Sequence, residues 1–218
     1  MKCYLIRHGE TEGNAALHFN GSGTDEPLTE AGRSALQEIV NVEPGSMLFA
    51  SPMKRAMETA SIMFPGREPV VVDDLREMHF GIFEGKNHRM LDGDPDYQAW
   101  LDSGGAARIP GGESMGDFYA RISKCFTEVA GMAAQAGADT LYIVAHGGTI
   151  MAAMSFLTGE DYFSFNAPNG AGYMIEVEMD DAGNVTASTA YDRFCDGLCA
   201  GSDGWRPPRY TPSDSMDR

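Results

Sequence analysis

The chain opens on MKCYLIRHGETEGN, Met1 to Asn14, in which a short apolar run is followed at once by an arginine and a histidine. The run from Met1 to Ile6 predicts a first strand, so Arg7 and His8 stand where that strand ends. In an open α/β sheet, ligands bind in the crevice beyond the carboxyl ends of the strands. Arginine offers a planar fork of donors to an oxyanion, and a neighbouring imidazole can act as a nucleophile. The opening stretch therefore predicts a site for phosphate chemistry.

Short apolar runs elsewhere predict the other strands of the same sheet. Three of them indicate buried strands: Ser46 to Ala50, Pro69 to Val72 and Thr140 to Ala145. The segments Tyr173 to Met179 and Val185 to Tyr191 flank the turn sequence DDAGN and predict an antiparallel hairpin. The resulting sheet is mixed but mostly parallel.

Apolar residues at helical spacing predict three helices between these strands. Thr29 caps a helix that runs to about Val40, because Leu36 and Val40 lie four residues apart on one face. The other two run from Lys54 to Phe64 and from Met115 to Ala134. Strands and helices thus alternate, which predicts a three-layer α/β/α sandwich with a mixed, mostly parallel sheet.

The chain has the length of one domain. Its 218 residues suffice to bury roughly 70% of the surface of the unfolded chain. We expect residues 1–199 to form a single catalytic domain. From residue 200 onward Gly, Pro, Ser and Asp dominate with little periodicity, which predicts an extended or partly disordered tail over 200–218.

The composition excludes several classes of partner. The formal net charge of −16 argues against nucleic acid and against an anionic membrane, which basic surfaces bind. No apolar run approaches the ~20 residues of a membrane span, and the N-terminal run is too short for a signal peptide. Charges on the outer surface are screened over about 8 Å, so a few converging cations can still dominate a pocket. We expect a cytoplasmic protein that binds a small phosphorylated metabolite.

The four cysteines are Cys3, Cys125, Cys195 and Cys199, and we expect them to be reduced thiols. Cys195 and Cys199 have the spacing of half a metal site. No partner Cys or His cluster lies near them in the sequence, so we expect neither a metal nor another cofactor.

Polar segments follow four of the predicted strands. They are Arg7-His8-Gly9, Ser51-Pro52 through Arg55-Ala56, Leu75-Arg76-Glu77 through Gly85, and Ala145-His146-Gly147-Gly148. If these strands are neighbours in one sheet, their carboxyl ends bring the charged side chains to one crevice. The side chains brought together are those of Arg7, His8, Arg55, Glu77 and His146.

Six motifs follow one another along the chain. They are LIRHGETEGN (Leu5 to Asn14), DEPLTEAG (Asp25 to Gly32), SPMKRAMETA (Ser51 to Ala60), LREMHFGIFEG (Leu75 to Gly85), PGGES (Pro110 to Ser114) and VAHGG (Val144 to Gly148). In this order they resemble the histidine phosphatase superfamily, in the branch that includes cofactor-dependent phosphoglycerate mutases and α-ribazole phosphatases. The similarity extends from about Lys2 to Tyr191.

The resemblance implies that His8 is the nucleophile that becomes a phosphohistidine, and that Arg7, Arg55 and His146 hold the phosphoryl oxygens. Elementary chemistry supports these roles. Phosphoryl transfer requires in-line positioning and stabilisation of charge on the equatorial oxygens, which two arginines supply without a metal. A neutral imidazole attacks through one nitrogen while the other donates to an acceptor that orients the ring.

The resemblance further implies that Asn14 contacts the phosphate and that Glu77 is the proton donor to the leaving group. The same carboxylate can take a proton from the water that hydrolyses the phosphohistidine. Glu10 and Glu84 lie in neighbouring motifs and are alternative acids. The N–H of Gly147, at the start of a helix, is a further candidate phosphate donor.

Two stretches depart from the family pattern. The segment Phe19 to Thr24 lacks the tryptophan often found before the Asp-x-Pro-Leu element, and Phe83 stands where many relatives carry tryptophan. Both concern recognition of the leaving group. The region between Glu77 and His146 is short for the substrate lid of a mutase. We therefore expect a metal-independent phosphomonoesterase that acts on a nucleotide similar to α-ribazole phosphate or on a sugar phosphate. The alternative is a phosphoglycerate mutase. A third hypothesis is a non-catalytic binding protein.

Overall fold

One mixed sheet of six strands runs through the computed structural model, which describes residues 1–37, 39, 42–180 and 182–195. The strands are β1 (Lys2–Arg7), β2 (Met47–Ala50), β3 (Val70–Val71), β4 (Thr140–Ala145), β5 (Ala171–Met179) and β6 (Val185–Cys195). Their order across the sheet is β3-β2-β4-β1-β5-β6. Strands β1 to β4 are parallel, whereas β5 is antiparallel to β1 and β6 to β5. The mixed, mostly parallel sheet and the C-terminal hairpin are thus confirmed.

Helices cover both faces of this sheet. The α-helices of the described residues are α1 (Glu12–Ala15), α2 (Glu30–Ala35), α3 (Lys54–Met63), α4 (Pro95–Asp102), α5 (Met115–Gln135) and α6 (Gly147–Thr158). Alternate strand residues point to opposite faces: one face carries Leu5, Phe49 and Ile143, and the other carries Ile6, Leu48 and Val144. The first face packs against α5 and α6, and the second against α3. This arrangement is the expected three-layer α/β/α sandwich.

Helix α2 is shorter than its spacing predicts. Thr29 caps it as expected, with the side-chain oxygen accepting from Gly32 N, but the helix ends at Ala35 rather than near Val40. Leu36 is extended, and the N–H of Ile39 donates to the carbonyl oxygen of Met63. The chain leaves the helix here because it packs along the end of α3. Val40 itself lies outside the described residues.

Strand β3 is also shorter than predicted, and the expectation of a buried strand is wrong. It comprises only Val70 and Val71, which are 42% and 50% exposed. β3 pairs with β2 alone because it forms the edge of the sheet, so no strand covers its outer side. The apolar run could not reveal whether the strand would be central or at an edge.

Two of the cysteines can be placed in the core. Cys3 and Cys125 are buried free thiols, and burial raises the pKa of both, that of Cys125 to about 12. The side chain of Cys195, all of Cys199 and the tail over 200–218 lie outside the described residues, so the predicted tail and domain boundary stay predictions. No helix in the part of the chain that the structure describes combines the length and the apolar character needed to cross a bilayer.

Candidate active site

The loops that follow the parallel strands meet at one edge of the sheet. Strand β1 pairs with β4 so that Arg7 lies opposite Ala145, and the next residue, His8, donates its N–H to the carbonyl oxygen of Ala145 at 3.0 Å. The imidazole rings of His8 and His146 consequently lie 5.1 Å apart, centre to centre. Arg55, at the start of α3, and Glu77 complete the cluster. The structure therefore brings together all five side chains that the strand ends predicted.

His8 has a defined tautomer. Its Nδ1 lies 2.6 Å from the carbonyl oxygen of Gly9. Because a carbonyl oxygen only accepts, Nδ1 carries the proton and Nε2 keeps its lone pair. Burial, reinforced by the positive charges of Arg55 and Arg7, holds the pKa of His8 well below its usual range. The ring is therefore neutral at pH 7, with Nε2 available as a nucleophile.

His146 is held from both sides of its ring. Arg55 Nε donates to its Nδ1 at 3.1 Å, so the proton resides on Nε2, which donates to Ser51 Oγ at 2.8 Å. Burial and the charge of Arg55, followed by smaller contributions from His8 and Arg7, keep its pKa well below the usual range. Ser51 is not among the predicted site residues, although its position directly after β2 is a signal that points to it.

The two arginines are used differently. Arg55 is wholly buried, and besides binding His146 it donates through both Nη atoms to carbonyl oxygens of the loop over residues 20–24. Arg7 donates through Nη1 to the carbonyl oxygen of Ala167 at 2.7 Å. Its Nε is buried and has no hydrogen-bond partner among the described residues. Arg7 thus offers an unsatisfied donor at the site, and Arg55 organises the loop while adding positive charge.

Glu77 lies against the start of α6. Its Oε1 accepts from Met78 N and its Oε2 from Gly148 N, both at 2.9 Å. Burial raises the pKa of this carboxyl, against the opposing effect of those two N–H groups and of the arginines. A Cβ at position 148 would lie 2.3 Å from Glu77 Oε1. The second glycine of VAHGG is therefore required by the close approach of Glu77.

Asn14 and Gly147 border the same cluster. The Oδ1 of Asn14 accepts from Thr11 N at 3.2 Å and from Asn169 Nδ2 at 3.1 Å, which orients the amide so that its Nδ2 is the remaining donor. Asn169 also donates to the carbonyl oxygen of His8 at 3.0 Å. Gly147 is the first residue of α6, where N–H groups have no partner within the helix. Asn169 was missed because it lies in the loop before an antiparallel strand, where the strand-end argument does not apply.

The alternative acids serve the surrounding loops. Glu84 accepts hydrogen bonds from Gly21 N, Gly23 N, Phe80 N and Thr24 Oγ1. Glu10 accepts from Thr29 Oγ1 at 3.4 Å, beside the cap of α2. Glu84 thus binds N–H and O–H donors of the loop over residues 20–24, and Arg55 binds carbonyl oxygens of the same loop.

The positions that depart from the family pattern belong to an aromatic cluster. Phe19 contacts four rings, those of Phe80, Phe83, Tyr97 and Trp100, with centroid distances of 5.2 to 6.1 Å. Phe83 is fully buried within this cluster. The cluster fastens helix α4 to the loop that begins at Phe19. Phe83 therefore affects the pocket through packing beneath this loop.

A cavity of about 350 Å³ lies beside the segment that carries Glu77. Its lining includes Ser22, Arg76, His79 and Glu113, but neither His8 nor Arg55. Within the described residues, no three His, Cys, Asp or Glu side chains are grouped so as to hold a metal ion.

Comparison with known proteins gives consistent results. A family model described as the histidine phosphatase superfamily (branch 1) matches residues 3–189. A Hydrogenobacter thermophilus protein named "Putative phosphoserine phosphatase 2" is 32% identical over 194 residues, which are 84% of this chain and 86% of that protein. The 2,3-bisphosphoglycerate-dependent phosphoglycerate mutase 2 of Gloeobacter violaceus is 33% identical over 159 residues, 68% of this chain and 71% of that protein. The crystal structure of the alpha-ribazole phosphatase from Shigella flexneri has a TM-score of 0.68 and 26% identity, covering 86% of this chain and 95% of that chain.

Proposed function

The chain belongs to branch 1 of the histidine phosphatase superfamily, and we propose that it is a metal-independent phosphomonoesterase that hydrolyses a small phosphorylated metabolite through a phosphohistidine on His8. The observation that carries the proposal is the hydrogen bond from His8 Nδ1 to the carbonyl oxygen of Gly9. It leaves the Nε2 lone pair free beside the buried Arg55 and the half-buried Arg7. A neutral nucleophile within a positively charged, desolvated cluster suits attack on a phosphate ester.

The phosphoryl group would be held by donors from three elements. Arg7 Nε is buried and has no hydrogen-bond partner among the described residues. The Oδ1 of Asn14 accepts from neighbouring residues, which leaves its Nδ2 as a donor. The N–H of Gly147 belongs to the first turn of α6. Arginine donors and a helix N-terminus both stabilise phosphate oxygens. Arg55 adds positive charge at the same place, and the neutral His146 adds a second imidazole ring.

The reaction then proceeds in two steps. His8 Nε2 forms a bond to phosphorus while the bond from phosphorus to the ester oxygen breaks, and the protonated Glu77 gives its proton to that oxygen. The Glu77 carboxylate next takes a proton from water, the water oxygen bonds to phosphorus, and the N–P bond breaks to release inorganic phosphate. The raised pKa of Glu77 favours the protonated form with which the first step begins.

We propose hydrolysis and not mutase activity because the segment between Glu77 and His146 contains no large lid among its described elements. Helix α4 spans only eight residues, Pro95–Asp102, and the next helix, α5, packs against the sheet. A mutase must retain its phosphoenzyme until the intermediate has turned, which requires a lid that excludes water. Phosphoglycerate mutase activity is the second candidate, favoured by the 33% identity to the Gloeobacter violaceus protein.

A panel of phosphorylated metabolites tests the proposal. It includes phosphoserine, α-ribazole phosphate, sugar phosphates, and 3-phosphoglycerate with and without its bisphosphate cofactor, all in excess chelator. We expect phosphate release from at least one ester, abolished in His8→Ala and retained in the control His88→Ala, an exposed histidine. Activity that disappears with chelator contradicts the metal-independent mechanism. Phosphoryl exchange between phosphoglycerates without net phosphate release identifies a mutase instead.

A further inference from the structure

The motif PGGES, Pro110 to Ser114, has no part in the chemistry proposed above, yet its backbone lies directly against the segment that follows Glu77. Glu113 N donates to the carbonyl oxygen of His79 at 2.9 Å, and Ile82 N donates to that of Pro110 at 3.0 Å. The contact leaves no room for side chains, since a Cβ on Gly112 would lie 2.3 Å from the His79 oxygen. The motif therefore supports residues 79–82 by direct backbone packing and hydrogen bonds.

The carboxylate of Glu113 extends this support. Its Oε2 accepts from His79 N at 2.9 Å, so that His79 is bound through both its N–H and its carbonyl oxygen. The same carboxylate receives two bonds from Arg121 of α5, from Nε at 2.9 Å and from Nη2 at 2.8 Å. This is the bidentate arginine–carboxylate geometry, which fixes both partners in orientation.

The remaining N–H groups of Arg121 bind the backbone of the acid segment itself. Nη1 donates to the carbonyl oxygens of Asp74 at 2.8 Å and Arg76 at 3.0 Å, and Nη2 donates to that of Glu77 at 3.4 Å. Every N–H of the guanidinium thus has an acceptor. One side chain from a long, packed helix thus binds two residues before Glu77, Glu77 itself, and the carboxylate that holds His79.

The Arg121–Glu113 pair is half-buried. Its side chains are 20% and 21% exposed, compared with 44% and 30% for the Arg33–Glu58 pair between α2 and α3. Exposed ion pairs contribute little because solvent screens them and their side chains are mobile. The Arg121–Glu113 pair is less subject to both effects, because it is less exposed and every N–H of its guanidinium has an acceptor.

The carboxyl end of Glu77 is held separately. Gly148 N donates to Oε2, and Thr149 Oγ1 reaches the carbonyl oxygens of Leu75 and Arg76 at 3.4 and 3.3 Å. The acid segment thus lies between α6, which binds the carboxyl group and two carbonyl oxygens before it, and α5, whose Arg121 binds the backbone of residues 74, 76 and 77. Residues 76–80 form no helix or strand of their own, so these contacts decide where the carboxyl group lies.

We propose that Arg121 and Glu113 are positioning residues for Glu77: their ion pair holds the backbone of residues 74–79 so that the carboxyl group faces the leaving-group oxygen. The inference rests on the proposed function of Glu77 as the acid. Proton transfer requires hydrogen-bond distance between the acid and the ester oxygen, and a misplacement of about 1 Å can cost on the order of 100-fold in rate.

A series of phosphate monoesters with leaving groups from acidic phenols to alkyl alcohols tests this role. Arg121→Met should lower kcat/KM for alkyl esters about 10- to 100-fold and leave the ester of the most acidic phenol nearly unchanged, because that group departs without a proton. The control Arg33→Met, which removes an arginine–glutamate pair elsewhere, should match wild type throughout. Equal loss on all esters would overturn the positioning role, since it would indicate general damage.

A double variant sharpens the test. In the Glu77→Gln background, Arg121→Met should cause little further loss on alkyl esters, because the acid through which it acts is gone. A further loss as large as that in wild type overturns the proposal. If Arg121→Met does not fold, Glu113→Gln supplies the same comparison, since it retains the side-chain shape and removes the charge and one of the two acceptor oxygens. A wild type that is inactive on the whole series overturns the proposed function and this inference together, whereas an active wild type isolates the positioning role.

Discussion

Arg55 Nε donates a hydrogen bond to His146 Nδ1 over 3.1 Å, joining the start of α3 to the end of β4 across 91 residues of chain. The bond makes Nδ1 the acceptor, so the proton of His146 lies on Nε2 and is directed at Ser51. A guanidinium cannot donate to an imidazole nitrogen that already carries a proton. Arg55 therefore keeps His146 neutral, in the same cluster in which burial keeps His8 neutral.

The pH dependence of the rate follows from these ionisations. The reaction needs His8 unprotonated and Glu77 protonated. The pKa of His8 is lowered from its usual 6.5, and that of Glu77 is raised from its usual 4.5. We expect a bell-shaped profile of kcat/KM whose alkaline limb reports Glu77. Glu77→Gln, assayed on an alkyl ester, whose leaving group needs a proton, should be slower than wild type and should lose that limb. Comparison on the same ester cancels ionisation of the substrate, and an unchanged alkaline limb would assign it to another group.

The stability of the fold should also depend on pH, because a histidine that is buried in its neutral form destabilises the fold in acid. His146 has a lowered pKa in the folded state, so the unfolded chain binds its proton first as the pH falls below about 6.5. The free energy of unfolding should therefore fall in this range, by at most about 1.4 kcal/mol per pH unit for this group. Urea titrations from pH 7.5 to 5.5 should show a smaller fall for His146→Asn than for wild type. Parallel slopes would show that His146 is protonated in the folded protein.

Gly148→Ala should impair the acid while leaving the fold intact. The added Cβ meets Glu77 Oε1 at 2.3 Å and forces the carboxyl group away from Gly148 N. We expect a loss of about 100-fold in kcat/KM on alkyl phosphates and a much smaller loss on esters of acidic phenols. Gly131→Ala in α5 is the matched control, because its Cβ meets only Met179 Cε at 3.7 Å. Wild-type activity in Gly148→Ala would contradict the placement of Glu77.

Ser51→Ala should destabilise the protein by about 1–3 kcal/mol, because it leaves the Nε2–H of His146 buried without an acceptor. Chemical denaturation measures the change. Ser123→Ala is the control: its hydroxyl donates to the carbonyl oxygen of Tyr119 on the half-buried side of α5, and its removal leaves no donor unsatisfied. A Ser51→Ala variant no less stable than Ser123→Ala would show that His146 finds another acceptor.

Local patterns in the sequence predicted most of the architecture. The apolar run Thr140–Ala145 is buried at every position as β4, and the helical spacing after Met115 extends to Gln135 as α5. The predictions were wrong where a segment's neighbours matter: β3 is exposed because it lies at the sheet edge, and α2 ends early because the chain turns to pack along α3. Position within a sheet and contacts beyond a helix end leave no local periodicity.

Local sequence patterns were enough to place the strand ends. They also predicted that Arg7, His8, Arg55, Glu77 and His146 meet, because the carboxyl ends of parallel strands lie at one edge of a sheet. How these five side chains are oriented and bonded depends on the folded chain. The tautomer of each histidine, the donors on Glu77 and the hold of Arg121 on the acid segment all depend on hydrogen bonds between residues far apart in the chain. Such bonds are set by distances of a few tenths of an ångström, which no spacing of residue types along one strand or helix encodes.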